Sequence, residues 1–98
     1  MSAYMVFNYT ITTPEGYEAY PPAARSTLGS SGAEVLVVDY QSEATEGSPG
    51  KVTVVLRFDS KDAARAWYES EAYQAAKPVR TANTEGAAVL CDGFVMPT

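Results

Sequence analysis

Strand and helix patterns follow one another along this chain in the order β-α-β-β-α-β, and that order leaves few folds open. The first stretch, AYMVFNYTI from Ala3 to Ile11, puts Ala3, Met5, Phe7, Tyr9 and Ile11 on one side and Tyr4, Val6, Asn8 and Thr10 on the other. A period of two with β-formers on both sides predicts a strand with one strongly apolar face and one mixed face. Thr13 followed by Pro14 is a helix start, an N-cap hydroxyl before a ring whose absent N–H would lack a partner in the first turn anyway. Tyr17, Tyr20, Ala24 and Leu28 then share a helical face. Pro21-Pro22 crosses it, so a kink or a restart is expected there. Gly29 and Gly32 flank the serine pair that ends the helix, and AEVLVV from Ala33 to Val38 reads as the second strand.

The next segment, DYQSEATEGSPG from Asp39 to Gly50, is polar and turn-rich, which predicts a mobile loop with at most a short edge strand around Ser42 to Thr45. KVTVVLRF, Lys51 to Phe58, alternates Val52, Val54, Leu56 and Phe58 with a second face interrupted by Val55, the pattern of a central third strand. Ser60 is placed to cap a helix DAARAWYES, with Asp62 in its first turn and Ala63, Ala66, Trp67 and Ser70 on the buried side. A short helix from Glu71 is expected to stop at Lys77, because the residue before Pro78 is pushed out of the helical region. The fourth strand spans Thr84 to Phe94.

An antiparallel sheet with its helices on one face satisfies this order: an α+β, ferredoxin-like subunit occupying residues 1–98 as one domain. A domain of 98 residues buries only about 60 to 70% of its unfolded surface. Tyr4, Val6, Leu36, Val38, Val55 and Leu90 are apolar residues available to the uncovered sheet face, so a second copy packed sheet to sheet is the economical cover.

Charge and missing residue types narrow the function. The net charge is −5 with no run of Lys or Arg, so no nucleic-acid footprint exists. No segment is apolar enough for a membrane span, and a cytoplasmic protein without membrane association is expected. The chain has no histidine, which removes Ser-His-Asp and Cys-His pairs and leaves Asp, Glu, Tyr, Lys or Cys91 as acids and bases. Cys91 follows AAVL and reads as a buried, inert thiol. No glycine-rich nucleotide loop occurs, and a metal site would have to be assembled from Cys91 and scattered carboxylates, so neither cofactor nor metal is expected.

Five stretches, AYMVFNYTI, TPEGYEAY, SSGAEVLVV, EATEG and above all VTVVLRFDSKDAARAWYESEAYQAAKPVR, resemble the domain of unknown function 1330 family within the dimeric α+β barrel superfamily. The resemblance covers nearly the whole chain in order. It implies a ferredoxin-like subunit that forms a homodimer through its sheet faces, with a small-molecule pocket between sheet and helices. Family members often carry Trp and Asp after the glycine matching Gly47, where this chain has Ser48 and Pro49. They carry Ser-Pro-Glu-Tyr where it has Ser70-Glu71-Ala72-Tyr73, and rarely a Pro pair like Pro21-Pro22.

Candidate site residues follow. Trp67 and Tyr68 diverge by about 100° on a helix, so Trp67 is assigned to the core and Tyr68 to a pocket rim. Tyr73 is either a core ring or a pocket wall, and Asn8, a polar amide inside an otherwise buried strand, needs a partner that a pocket ligand or a water could supply. Tyr17 and Tyr20 face the sheet, either as core residues with polar tips or as pocket donors. Arg80 either caps carbonyls and pairs with a surface acid or recognises an anion such as a carboxylate or enolate. Glu46 matches the family's Glu-Gly pair and is the best acid or base if its loop folds over the pocket. On this scheme Arg80 and tyrosine hydroxyls stabilise negative charge while Glu46 or Tyr20 moves a proton. Three functions stay open: a cofactor-independent enzyme like the superfamily's monooxygenases, isomerases and polyketide-modifying proteins, acting on a small aromatic or carboxylate metabolite; a non-catalytic ligand-binding or accessory homodimer; and a purely structural module.

Overall fold

The computed structural model of the chain describes residues 1–97. Its elements run β1 (Ala3–Ile11), α1 (Pro14–Tyr17), α2 (Tyr20–Ser26), β2 (Glu34–Asp39), β3 (Val52–Phe58), α3 (Lys61–Tyr68), α4 (Glu71–Thr81) and β4 (Thr84–Asp92). The strands form one antiparallel sheet in the order β2-β3-β1-β4, which is the ferredoxin-like topology. β1 and β3 are central, as their two-sided β-forming character predicts.

Odd-numbered residues of β1 make the core face. Ala3, Met5, Phe7 and Tyr9 are buried, and Val52, Leu56 and Phe58 of β3 join them. Trp67 fastens α3 to this face, with its ring 6.5 Å from Phe7 and 5.6 Å from Phe58 centre to centre. Its indole N–H donates to Thr27 Oγ1 at 2.9 Å, so the polar edge of the ring is satisfied while its faces are packed. Ser60 Oγ accepts from the Ala63 N–H and Ser70 Oγ from the Tyr73 N–H, starting α3 and α4 by the same device.

Several local expectations are corrected. The first helix does restart, and the break falls at Glu18–Ala19, so that Pro21 and Pro22 stand in the first turn of α2 where their missing donors cost nothing. Thr13 occupies the N-cap of α1 but makes no capping bond through its side chain. On α3 the buried partner of Trp67 is Ala64, one helical turn away, whereas Ala66 is exposed and Ser70 belongs to the α4 cap. Residues 42–45 form no strand. The loop is instead closed at its base by Ser42, whose N–H donates to Lys51 O at 3.0 Å and whose hydroxyl pairs with Thr53 Oγ1 at 2.7 Å.

α4 does not stop at Lys77. It carries Pro78 in its interior and ends at Thr81, with Ala82 N–H donating to Pro78 O at 2.9 Å. Proline denies the Gln74 carbonyl its donor, but Gln74 and Pro78 are both on the solvent side. The turn beyond them buries Arg80, and that tertiary contact outweighs the local preference.

The uncovered sheet face carries Tyr4, Val6, Asn8, Val37, Val55, Val89 and Cys91. Val38 and Leu90, expected there, turn to the helix side. For Val38 the cause is a register shift between Val35 and Val37, and Leu90 pairs with Met5 of the core face. The same alternation exposes Cys91, expected to be buried.

Candidate functional site: a tyrosine-lined cavity

On the helix side, α2 leaves β2 partly uncovered: Val35 and Val38 point toward the helices yet remain about half exposed. Between this strand, α2 and the central strands lies a cavity of about 210 Å³. Phe7 and Tyr9 of β1, Val54 and Leu56 of β3, and Trp67 of α3 form its inner wall. Tyr17, Tyr20, Ala24, Arg25 and Leu28 from the first helical segment, with Val35, Val38 and Tyr40, complete it.

Phenol hydroxyls supply most of its polarity. Tyr9 OH and Tyr17 OH are 2.6 Å apart, and Tyr17 OH lies 3.2 Å from Tyr40 OH, giving a row of three hydroxyls from the buried floor to a partly exposed end. A separate pair joins Tyr20 OH to Tyr73 OH at 2.7 Å. Burial raises the pKa of Tyr9, Tyr17 and Tyr20, and for Tyr17 and Tyr20 the neighbouring tyrosine hydroxyls raise it further. These phenols are therefore neutral over the physiological range, hydrogen-bond donors and acceptors rather than resident bases.

Arg80 sits behind the wall rather than in it. Its guanidinium carbon is 5.1, 5.8 and 5.9 Å from the ring centres of Phe7, Tyr9 and Tyr20, a cation caged by aromatic faces. The side chain is 7% exposed and its Nε has no hydrogen-bond partner. Burial works against its charge, but the adjacent Tyr73 and Tyr20 more than offset this, leaving the guanidinium pKa above its ordinary value.

Of the expected site residues, Tyr17 and Tyr20 line the cavity, and Tyr73 reaches it only through the Tyr20 hydroxyl. The others lie elsewhere. Asn8 is on the opposite sheet face, where its amide nitrogen donates to Gly50 O, Val52 O and Thr53 Oγ1 and its oxygen accepts from the Gly50 N–H. Those four bonds hold the loop to β1 and satisfy the amide from within the protein. Tyr68 borders a different groove, with Met5, Arg65, Glu69, Ala88 and Leu90, and Lys77 lies over its ring. Glu46 is exposed and is not part of the cavity wall. Tyr9, Arg25, Tyr40 and Trp67 were not among the expected ligand contacts. Tyr9 was signalled by its place after Phe7 on the apolar side of β1, whereas Tyr40, two residues beyond Val38, reaches the cavity face only through the register shift between Val35 and Val37.

No group of three or more Cys, Asp or Glu side chains among the described residues is arranged to hold a metal ion, and no helix there is long and apolar enough to cross a membrane.

Residues 2–94 match the family model described as a domain of unknown function, DUF1330. No curated protein sequence matches the chain significantly. Among solved structures, a protein of unknown function from Rhodopseudomonas palustris superposes with a TM-score of 0.78 at 13% identity, covering 97% of this chain and 84% of the other. A cofactor-independent oxygenase from Streptomyces nogalater gives 0.67 at 11% identity, covering 97% and 95%. A candidate antibiotic biosynthesis monooxygenase from Caulobacter crescentus gives 0.64 at 18%, covering 96% and 91%. At such identities these likenesses establish the fold.

Proposed function

Because the chain belongs to the DUF1330 family, whose description assigns no reaction, we propose its function from the cavity: a homodimeric, cofactor-independent enzyme of the oxygenase type that acts on a small aromatic molecule. The observation that carries this reading is the row of Tyr9, Tyr17 and Tyr40 hydroxyls along an otherwise apolar cavity. The oxygenase neighbours of the same fold support it.

Without a cofactor, a substrate that reacts with O2 must itself supply the electrons, and a phenol or enol does so far better once it has lost its proton. Neutral tyrosine hydroxyls suit that step. A hydroxyl donating to the substrate oxygen stabilises the anion as it forms, in a cavity of low dielectric where such bonds are strong. Each hydroxyl of the row can accept a proton from one neighbour as it donates to the next, so the row passes a proton toward the exposed Tyr40 without any member becoming a phenolate. The raised pKa values support relay, and burial that keeps Tyr20 neutral near pH 7 favours a donor over a standing base there.

The homodimer belongs to the same proposal. Val37 and Val89 of the uncovered face are 39% and 56% exposed, beside half-buried Tyr4, Val6 and Val55. A second copy laid sheet to sheet would cover them. A monomeric mass by light scattering at micromolar concentration refutes that part.

Oxygen uptake over a panel of hydroxynaphthalenes and other fused phenols tests the enzyme, with product formation followed in parallel. Tyr17→Phe interrupts the row without removing a ring and is expected to lower turnover by about tenfold or more. One observation favours a second reading, ligand binding without chemistry: neither a carboxylate nor a lysine lines the cavity. Panel members that bind but are recovered unchanged under oxygen would decide for it.

A further inference from the structure

The charge around the cavity is one-sided. Among its lining residues Arg25 alone carries a formal charge, and no Asp or Glu lines the cavity. Arg25 is in the last turn of α2, is exposed, and forms no ion pair among the described residues. The second cation, Arg80, does not line the cavity but packs on three residues that do, Phe7, Tyr9 and Tyr20. It too has no carboxylate partner among the described residues, and its Nε is buried without an acceptor. Two uncompensated cations thus flank one apolar cavity in a chain whose net charge is −5.

Such a field favours an anion, and the two arginines divide the work. The buried guanidinium cannot reach a ligand through the aromatic wall, so it contributes potential rather than contact. Arg25 is on the open side, with donors free to grip a carboxylate in the two-pronged geometry that a guanidinium fits. The interior is apolar and aromatic, and a closed cavity of about 150 Å³ is known to accept benzene. A cavity of about 210 Å³ that is open at one side has room for a substituted ring or a fused pair of rings.

We propose that the cavity selects a monoanionic aromatic acid, its rings held against Tyr17, Tyr20 and Trp67 and its carboxylate paired with Arg25 at the mouth. This rests on the reading of the cavity as a ligand site. It moves anion recognition from Arg80, where the sequence placed it, to a residue the sequence did not single out.

The probes are 2-naphthoic acid and the uncharged 2-naphthamide, nearly identical in shape, titrated into the full chain at pH 7 and followed by Trp67 fluorescence and calorimetry. The acid is expected to bind about fivefold to tenfold more tightly than the amide, with a preference that shrinks as salt is raised. Arg25→Gln should bring the ratio near one, and Arg25→Lys should restore part of it. Equal affinities in the wild type, or an acid preference that survives Arg25→Gln, overturns the inference and leaves the ligand site standing. Failure of both probes to bind at millimolar concentration would refute the ligand site and the inference with it. Arg25 is exposed on a helix end, so the folded state of each variant is expected to be unchanged, as circular dichroism checks.

Discussion

Replacing Tyr73 by phenylalanine removes one hydroxyl from a place that water cannot refill. Tyr73 is 0% exposed and Tyr20 8%, and their hydroxyls are 2.7 Å apart. The Tyr73 ring stays, along with its contact to Trp67 at 4.2 Å between centres, so the substitution opens no cavity in the core. What changes is one hydrogen bond, whose net worth is about 1 kcal/mol, together with the cost of stranding the Tyr20 hydroxyl, for a total of about 1 to 2 kcal/mol. Tyr20→Phe should cost a similar amount for the mirror-image reason. In the double variant neither phenol is stranded, so its cost should fall short of the sum of the two single costs by about 1 kcal/mol. Arg80 stays packed beside both rings in all four proteins, and each lost hydroxyl also removes a favourable neighbour of its buried charge. Urea unfolding followed by Trp67, the one tryptophan of the chain, reads these costs, with circular dichroism as the check for two-state behaviour. All four proteins are compared at the same concentration, because the proposed dimer would add to apparent stability. In a thermal scan each kcal/mol corresponds to roughly 4 to 8 °C for a chain of this size. Additivity of the single costs to within about 0.3 kcal/mol would refute the pairing.

The raised pKa values of Tyr9, Tyr17 and Tyr20 make an alkaline prediction, since each folded value lies above the unfolded value of 10.0. Their contribution is fully present below pH 10 and is lost above it at about 1.4 kcal/mol per pH unit for each phenol; tyrosinate absorbance from these three should therefore appear only with unfolding, and early ionisation would contradict the burial argument. Gly50→Ala sets a Cβ against the backbone carbonyl of Tyr9, which cannot swing aside, so a loss of about 2 kcal/mol or more is expected in urea, whereas Gly29→Ala meets open space and should be tolerated. Ser70→Ala removes the acceptor of the Tyr73 N–H and should cost about 1 kcal/mol by the same assay; no loss would mean that the α4 cap contributes nothing.

The fold was legible because its signals are local and repeated. Alternation along β1 and β3, a serine before each of the two later helices, and the β-α-β-β-α-β order all point one way, and the sheet order follows from the topology rule. Where single residues decided the outcome, local rules were overridden. Pro78 argues for a helix end, but the burial of Arg80 two residues later carries α4 through it. A strict period of two puts Leu36 and Val38 on the open face, but the register shift between Val35 and Val37 turns Val38 inward. A shift of one residue has no composition signature, yet it decides which valines border the cavity.

The candidate site was legible as a residue type rather than as a place. Nearness in sequence grouped Tyr68, Tyr73 and Arg80, three members of one dense aromatic segment, but a helix turns adjacent side chains away from one another and the segment spans two helices. Tyr68 consequently borders the groove beside β4, Tyr73 is buried with its hydroxyl on that of Tyr20, and Arg80 packs on the core-face rings of Phe7 and Tyr9. The hydroxyl row draws one tyrosine each from β1, α1 and the residue after β2, segments separated by 8 and 23 positions. Only the sheet order brings them together, because β1 and β3 are central and β2 lies at the edge beside β3. Arg25 shows the same limit from the other side. In the sequence it is one exposed arginine in a helix end, the least informative kind of charge, and it gains meaning only beside a cavity whose other lining residues carry none. An argument from sequence to function in a fold of this kind therefore has to pass through strand order first, since that order decides which aromatic residues share a wall.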